Sequence, residues 1–143
     1  MGISNVFKIT GTALNAQSIH IDLIAKNMAS SQIISGTEQG AYRARRPIFA
    51  SMLESGFSGS SRNGSNIGGV KVAGFSRSNS PIEKQRLPEN PFADAEGYVY
   101  LSNVNMVEEM AFMMQASRNY QSNIEVLNTS KELMLRTLSL GNS

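Results

Sequence analysis

The chain has 143 residues and a formal net charge of +2, with a single histidine and neither cysteine nor tryptophan. This length suits one domain with extended appendages. The charge is too small to make nucleic acid or a membrane surface the main expected partner. Without cysteine, the sequence excludes disulfides, thiolate zinc sites and cysteine nucleophiles. It also has no run of the roughly 18 apolar residues that a membrane-spanning helix requires.

The first segment, residues 1–33, is predicted to contain a helix from about Ser4 to Ser30. Its main apolar face consists of Phe7, Leu14, Ile21, Ile24 and Met28, most of them seven positions apart. A second line widens that face: Ile9, Ala16 and Leu23. The start of the chain lacks the basic, apolar and small-residue pattern of a secretory leader, so we expect no cleaved signal peptide.

The central segment, residues 34–103, has a different composition. It contains all four prolines and nine of the twelve glycines of the chain, which predicts a loop-rich β region. The expected strands are Tyr42–Phe49, Val70–Ser76 and Tyr98–Leu101. The stretch 54–69 holds five glycines and five serines in sixteen residues, and we predict that it is mobile because it offers little to bury.

The last segment, residues 104–143, shows the clearest periodicity of the chain. Ten positions spaced four and three residues apart are mostly apolar, as in a long helix with a coiled-coil seam. They are Met106, Met110, Met113, Ser117, Tyr120, Ile124, Leu127, Lys131, Met134 and Leu138. Asn105 and Glu108 are predicted to cap the start of this helix, and Gly141 is expected just past its end.

These segments together predict an α+β fold. The long N- and C-terminal helices are expected to pair as an antiparallel coiled-coil-like hairpin around a small β-rich, loop-rich central region. A helix of some 34 residues would be about 50 Å long, which is more than a domain of this size can cover. We therefore predict that the apolar seam residues of both helices pack against other subunits, and that head-to-tail contacts build an open helical assembly.

Catalytic and metal-binding signatures are weak in this sequence. His20 has no second histidine or cysteine with which to form a triad or a metal site, so we interpret it as a helix surface residue. Asp94 and Glu96 lie between proline and glycine and are interpreted as turn residues. We predict no enzymatic activity, no cofactor and no metal.

The densest basic cluster is Arg43, Arg45 and Arg46, beside Tyr42. These side chains could contact nucleic-acid phosphates. Strand alternation, however, places Arg43 and Arg45 on one face and Arg46 on the other. A solvated strand edge, or ion pairs with a neighbouring subunit, also explains the cluster, and we favour that interpretation over nucleic-acid binding.

Several of these stretches resemble the bacterial flagellar basal-body rod proteins, most closely the proximal-rod members. Towards the end of the chain, the resemblance is carried by NPFADAEGYV at 90–99, by the NV and EEM that follow it, and by ASRNYQSNIEVLNT at 116–129. Near the start, it is carried by ALNAQ at 13–17, AKNMA at 25–29 and YRAR at 42–45. It covers both termini and the segment before the last helix, and leaves out the stretch 54–69.

The resemblance implies a structural role. Family members leave the cytoplasm through the flagellar type III export apparatus and assemble in the periplasm into the rod, a helical tube that transmits motor torque to the hook. It implies that the partners are other rod subunits and further copies of the same chain, with no nucleic acid and no direct membrane insertion. The helical termini would form the inner layer of the tube and the β region would lie outside.

Two further interpretations remain open at this stage. A coiled-coil adaptor or export chaperone could visit the basal body without remaining there, and it would stay in the cytoplasm. A nucleic-acid binder using the arginine cluster would show an affinity that falls steeply with salt concentration.

Overall fold

A computed structural model describes residues 3–53 and 68–141. Two helices, α1 (Ile3–Ala29) and α2 (Met106–Gly141), frame the chain. The described part between them contains five strands: β1 (Ile34–Ser35), β2 (Arg45–Leu53), β3 (Gly68–Arg77), β4 (Lys84–Arg86) and β5 (Tyr98–Leu101). This arrangement confirms the predicted α+β class.

Both helices form where the sequence predicts them. The bounds of α1 lie one residue from the predicted ones at each end. At the start of α2, the Asn105 side-chain oxygen accepts hydrogen bonds from the amides of Val107 at 3.0 Å and Glu108 at 3.3 Å, as an N-cap residue does. The expectation for Gly141 was wrong, because this residue belongs to the helix instead of following it.

The strands form two small antiparallel sheets. One has the order β1-β5-β4, and the other is the β2–β3 pair, with a bulge after the Ile48 pairing. Pro47 lies within β2 opposite Phe75; a proline is tolerated there because every strand of a two-stranded sheet is an edge strand. The short strands β1 and β4 were not predicted, since two or three residues give no periodic signal.

Two predicted strand ranges and one predicted loop need correction. β2 begins at Arg45 rather than Tyr42 and runs on to Leu53. Gly68 and Gly69, which the sequence assigns to a mobile loop, are the first residues of β3. The rest of that predicted loop, residues 54–67, lies outside the described residues. The division of the chain at residues 33 and 103 stays a prediction.

The two helices pack against each other, and the β2–β3 pair packs against α1. Asn27, near the end of α1, contacts Glu109 in the first turns of α2. Further along, Gln17 and His20 of α1 share one pocket with Ala116 and Asn119 of α2. The two helices are therefore antiparallel, and the central region joins the end of α1 to the start of α2.

Candidate functional site: an assembly interface

The candidate site is the apolar surface of the helix pair, because the sequence predicts that the helices pack against other subunits. Of the thirteen predicted packing residues, only Ile24 is fully buried in the single chain, with 1% of its surface exposed. Seven are half-buried: Phe7, Leu14, Ile21, Met28, Met113, Tyr120 and Leu127. Five are exposed: Met106, Met110, Ile124, Met134 and Leu138. A single copy thus leaves much of the predicted seam accessible.

The end of α2 extends beyond its cover. Every residue from Lys131 to Gly141 is exposed, a length of about 16 Å at the usual helical rise. Four large apolar side chains in this stretch are between 48% and 62% exposed: Leu133, Met134, Leu135 and Leu138. Contiguous apolar surface of this kind marks interaction sites in soluble proteins.

The most buried positions of the two helices coincide only in part with the predicted seam. On α1, the buried residues include Ala16 and Leu23, from the second apolar line, together with Ile24. On α2, the buried residues are Glu109 and Ala116, neither of which is a seam position. The two α2 positions hold a charged and a small residue, so hydrophobic periodicity alone does not identify them.

A buried polar junction lies where the helices meet the β region. The side chain of Asn27, which is fully buried, makes four hydrogen bonds. Its oxygen accepts from the Tyr42 hydroxyl and the Arg45 amide, each at 3.0 Å. Its nitrogen donates to the Arg45 carbonyl at 2.9 Å and to Glu109 at 3.3 Å. All the hydrogen-bonding capacity of this amide is used, so it fixes the start of β2 against both helices.

Glu109 completes the junction with an ion pair. Only 1% of this residue is exposed, and its second carboxylate oxygen lies 3.0 Å from the Arg46 guanidinium. Glu108 lies 3.6 Å from the same guanidinium but is largely exposed. The guanidinium also lies 4.1 Å from the centre of the Phe112 ring, in a cation–π contact. A charge as buried as Glu109 requires such compensation.

The structure gives the three arginines of the predicted basic cluster different partners. Arg46 is held by the two α2 carboxylates. Arg43 donates to the carbonyls of Ser78 at 3.3 Å and Ser80 at 3.2 Å, which Asn103 also binds. Arg45 remains exposed, and its cross-strand neighbour is Arg77. Two of the three guanidinium groups, those of Arg43 and Arg46, therefore bind carbonyls or carboxylates of the chain itself, and the Arg45 guanidinium has no such partner among the described residues.

His20 differs from the predicted surface position. It is half-buried in a pocket of about 360 Å³ between α1, β2 and α2, and its ring meets Phe49 edge to face at 5.7 Å. Burial, followed by the positive charge of Arg46, lowers the pKa of His20 below its usual value of 6.5. Neither the Phe49 ring nor the Arg46 charge gives His20 a catalytic partner.

Asp94 and Glu96 form a turn, as the sequence indicates. The Asp94 carboxylate accepts from the amides of Tyr98 at 2.8 Å and Glu96 at 2.9 Å. These bonds, led by the one from Tyr98, lower the pKa of Asp94 below 3.8. Gly97 adopts a φ of +81°, a left-handed conformation that favours glycine. This carboxylate organises the backbone, which explains its position in the motif.

Comparisons with known proteins agree with this picture. A model of the C-terminal region of the flagellar basal-body rod FlgEFG proteins matches residues 95–140. The flagellar basal-body rod proteins FlgC of Escherichia coli O157:H7 and Salmonella typhimurium LT2 are each 43% identical over 141 residues, which cover 99% of both chains. The chain belongs to the FlgC family of flagellar basal-body rod proteins. The FlgC protein of Yersinia enterocolitica is 41% identical over the same share of each chain.

Family membership applies to nearly the whole chain, including the helices that carry the exposed seam. Relatives match along almost the full length, so both helices and the central region belong to one family unit. Within residues 3–53 and 68–141 no helix is long and apolar enough to cross a membrane. The same ranges contain no cluster of three acidic or histidine side chains suited to a metal ion.

Proposed function

We propose that this chain is a non-catalytic structural subunit of the proximal rod of the bacterial flagellar basal body. It would assemble with other rod subunits and with further copies of itself into a helical tube that transmits motor torque to the hook. The observation that carries the proposal is the exposed apolar end of α2, on a chain whose relatives of the same length are named rod proteins.

The proposal uses the helices as the packing elements of the tube. α1 covers the first part of α2 and leaves the last eleven residues, from Lys131 to Gly141, exposed. Coiled-coil-like packing between helices of adjacent subunits would bury these side chains and the exposed seam positions of the paired region. The chain would be exported by the flagellar type III apparatus and would assemble in the periplasm.

The alternative is a coiled-coil adaptor or export chaperone associated with the basal body. An adaptor would use the same apolar helix end for transient binding and would remain in the cytoplasm. Quantitative mass spectrometry of purified basal bodies distinguishes the two roles. Several copies of this chain per basal body support the rod subunit, whereas an abundant cytoplasmic pool with none in intact basal bodies supports the adaptor.

A seam variant tests the packing directly. Replacing Ile124 and Leu127 with aspartate places two charges in the proposed contact, where burial of unpaired charge is strongly unfavourable. We expect loss of motility and of incorporation into basal bodies. Asn128→Asp, an exposed change on the same helix, is the control. Normal motility and incorporation of the double variant would contradict the proposal.

A further inference from the structure

Arg45 and Arg77 form a pair of like charges that no carboxylate within residues 3–53 and 68–141 neutralises. They are directly opposed across the antiparallel β2–β3 ladder, and both are exposed. Like charges at opposed positions of this kind are destabilising. Among the described residues, no carboxylate lies within ion-pair distance of either guanidinium, although the chain pairs Arg43 and Arg46 with acids.

Arg45 and Arg77 line a groove whose walls are already formed in the single chain. Its volume is about 400 Å³, and its other walls come from Arg43, Tyr42 and the loop 39–41. The backbone of Arg45 is fixed at both its N–H and its carbonyl by the buried Asn27 amide. The Arg45 guanidinium lies 5.9 Å from the centre of the Tyr42 ring. Two arginines on fixed backbone, with a third anchored beside them, favour carboxylate ligands.

A carboxylate-bearing surface occurs elsewhere on the same chain. The loop 87–97 contains three acidic residues and no basic one. Asp94 is used by the turn, while Glu89 and Glu96 are exposed and have no described cation within ion-pair distance. The turn also fixes this loop, since Asn90 accepts from the Phe92 amide at 2.9 Å. The loop can therefore present two carboxylates without a large loss of conformational entropy.

We propose that the groove at Arg45 and Arg77 binds the acidic loop 87–97 of a neighbouring copy of this chain. The inference rests on the proposed assembly role and adds a polar contact outside the helical seam. It follows from charge complementarity, because the described part of each copy carries a basic groove at Arg45 and Arg77 and an acidic loop whose Glu89 and Glu96 have no ion-pair partner there. A contact between two different patches of the same chain can repeat from copy to copy, as a helical assembly requires.

Charge reversal tests the contact in the source bacterium. Arg45→Glu with Arg77→Glu should lower incorporation into basal bodies at least tenfold. The purified variant should melt close to the wild-type temperature, because one like-charge pair replaces another and only the Arg45 contact with the Tyr42 ring is lost. Lys71→Glu with Arg86→Glu, an equal charge change at exposed strand positions outside the groove, is the control and should incorporate normally.

The reciprocal variant identifies the occupant. Glu89→Arg with Glu96→Arg should show the same loss, and the chain carrying all four changes should recover much of the incorporation. Recovery would support pairing between copies, whereas two separate losses without recovery would overturn a second copy as the occupant. Normal incorporation of the Arg45/Arg77 variant would overturn the groove itself. Absence of the wild-type chain from basal bodies would instead overturn the proposed function.

A cross-linking measurement remains decisive if a charge variant does not fold. Since the chain has no cysteine, Arg77→Cys and Glu89→Cys variants can be co-expressed and treated with a short bis-maleimide linker in isolated basal bodies. A linked dimer should form from this pair and not when Glu89→Cys is replaced by Asn15→Cys on α1. Equal linkage in both combinations, or none in either, would contradict the contact. Salt-sensitive DNA binding that the Arg45/Arg77 reversal removes, with normal basal bodies, would assign the groove to nucleic acid and overturn the proposal.

Discussion

Asn27 donates its side-chain amide to the Glu109 carboxylate across 3.3 Å, joining residues 82 positions apart in the sequence. The same amide group binds both polar atoms of the Arg45 backbone. Three separate segments therefore meet on one buried side chain. Because the junction is buried and fully hydrogen-bonded, it holds the central region at a defined orientation to the helix pair.

Loss of the Asn27 amide should destabilise the whole chain. Asn27→Ala leaves the Arg45 amide, its carbonyl and part of Glu109 without partners in a buried site. We expect a decrease in the free energy of unfolding of about 3 kcal/mol, measured by urea denaturation. Asn15→Ala, an exposed change on the same helix, should stay within about 0.5 kcal/mol of wild type. Equal effects of the two variants would show that the junction contributes little.

The Arg46–Glu109 ion pair should matter more than the Arg46–Glu108 pair. Arg46→Met leaves the buried Glu109 charge without its cation and should cost about 3 kcal/mol of unfolding free energy. Glu108→Gln removes a largely exposed charge and should cost less than about 1 kcal/mol. Both values come from the same urea titration. A larger loss in the Glu108 variant would contradict the assignment of Glu109 as the main partner.

The end of α2 should be important for assembly and nearly neutral for the single chain. Met134→Asp with Leu138→Asp places charges on side chains that are already 48% and 62% exposed. We expect the unfolding free energy to change by less than about 1 kcal/mol, while incorporation into basal bodies is lost. Thermal melting and quantitative mass spectrometry measure the two effects. A strongly destabilised monomer would indicate that this end packs within the chain.

The turn at Asp94 should weaken in acid. Its folded-state pKa lies below the ordinary 3.8 because backbone amides bind the charged form, so its contribution to stability is present above pH 3.8 and is lost as the pH falls through the folded pKa. The difference in melting temperature between wild type and Asp94→Asn should therefore shrink below pH 3.8. A difference that stays constant between pH 6 and pH 2 would contradict this role.

His20 provides a second pH-dependent signal. Burial and Arg46 lower its folded-state pKa below 6.5, so the unfolded chain binds a proton more readily and stability falls as the pH drops below 6.5. Because it is the only histidine, its ring signals can be assigned without ambiguity in an NMR titration. We expect a midpoint below 6.5, whereas a midpoint at 6.5 would place the ring in solvent and a higher one would place it beside an acid. His20→Gln should remove this part of the pH dependence.

The sequence predicted the elements whose signal is local. Apolar spacing located α1 within one residue at each end, and Asn105 marked the start of α2 through its own hydrogen bonds to the next amides. The turn at Asp94 is also local, since its partners lie two and four residues away. Strand bounds were less accurate, because a strand ends where its partner ends: β2 and β3 extend each other to Leu53 and Gly68.

The candidate interface was only partly accessible to the same reasoning. Periodicity selected residues able to pack, but it could not say which of them α1 covers and which remain exposed. Ala16 and Ala116 are almost fully buried, and an alanine gives only a weak hydrophobic signal. The pairing of Arg45 with Arg77 depends on the β2–β3 register. That register cannot be predicted from residues that are neighbours along the chain.

The sequence by itself determined two amphipathic helical termini, a loop-rich β centre, a rod-family resemblance and a seam too long for the chain to cover. These properties arise from residue type and spacing along one segment. Only the tertiary structure decided that Asn27, Glu109 and Arg46 form one buried junction, that the last eleven residues of α2 are all exposed, and that Arg45 and Arg77 lie side by side. Those relationships join distant segments, and their energies depend on burial and direct contact, which exist only once the chain has folded.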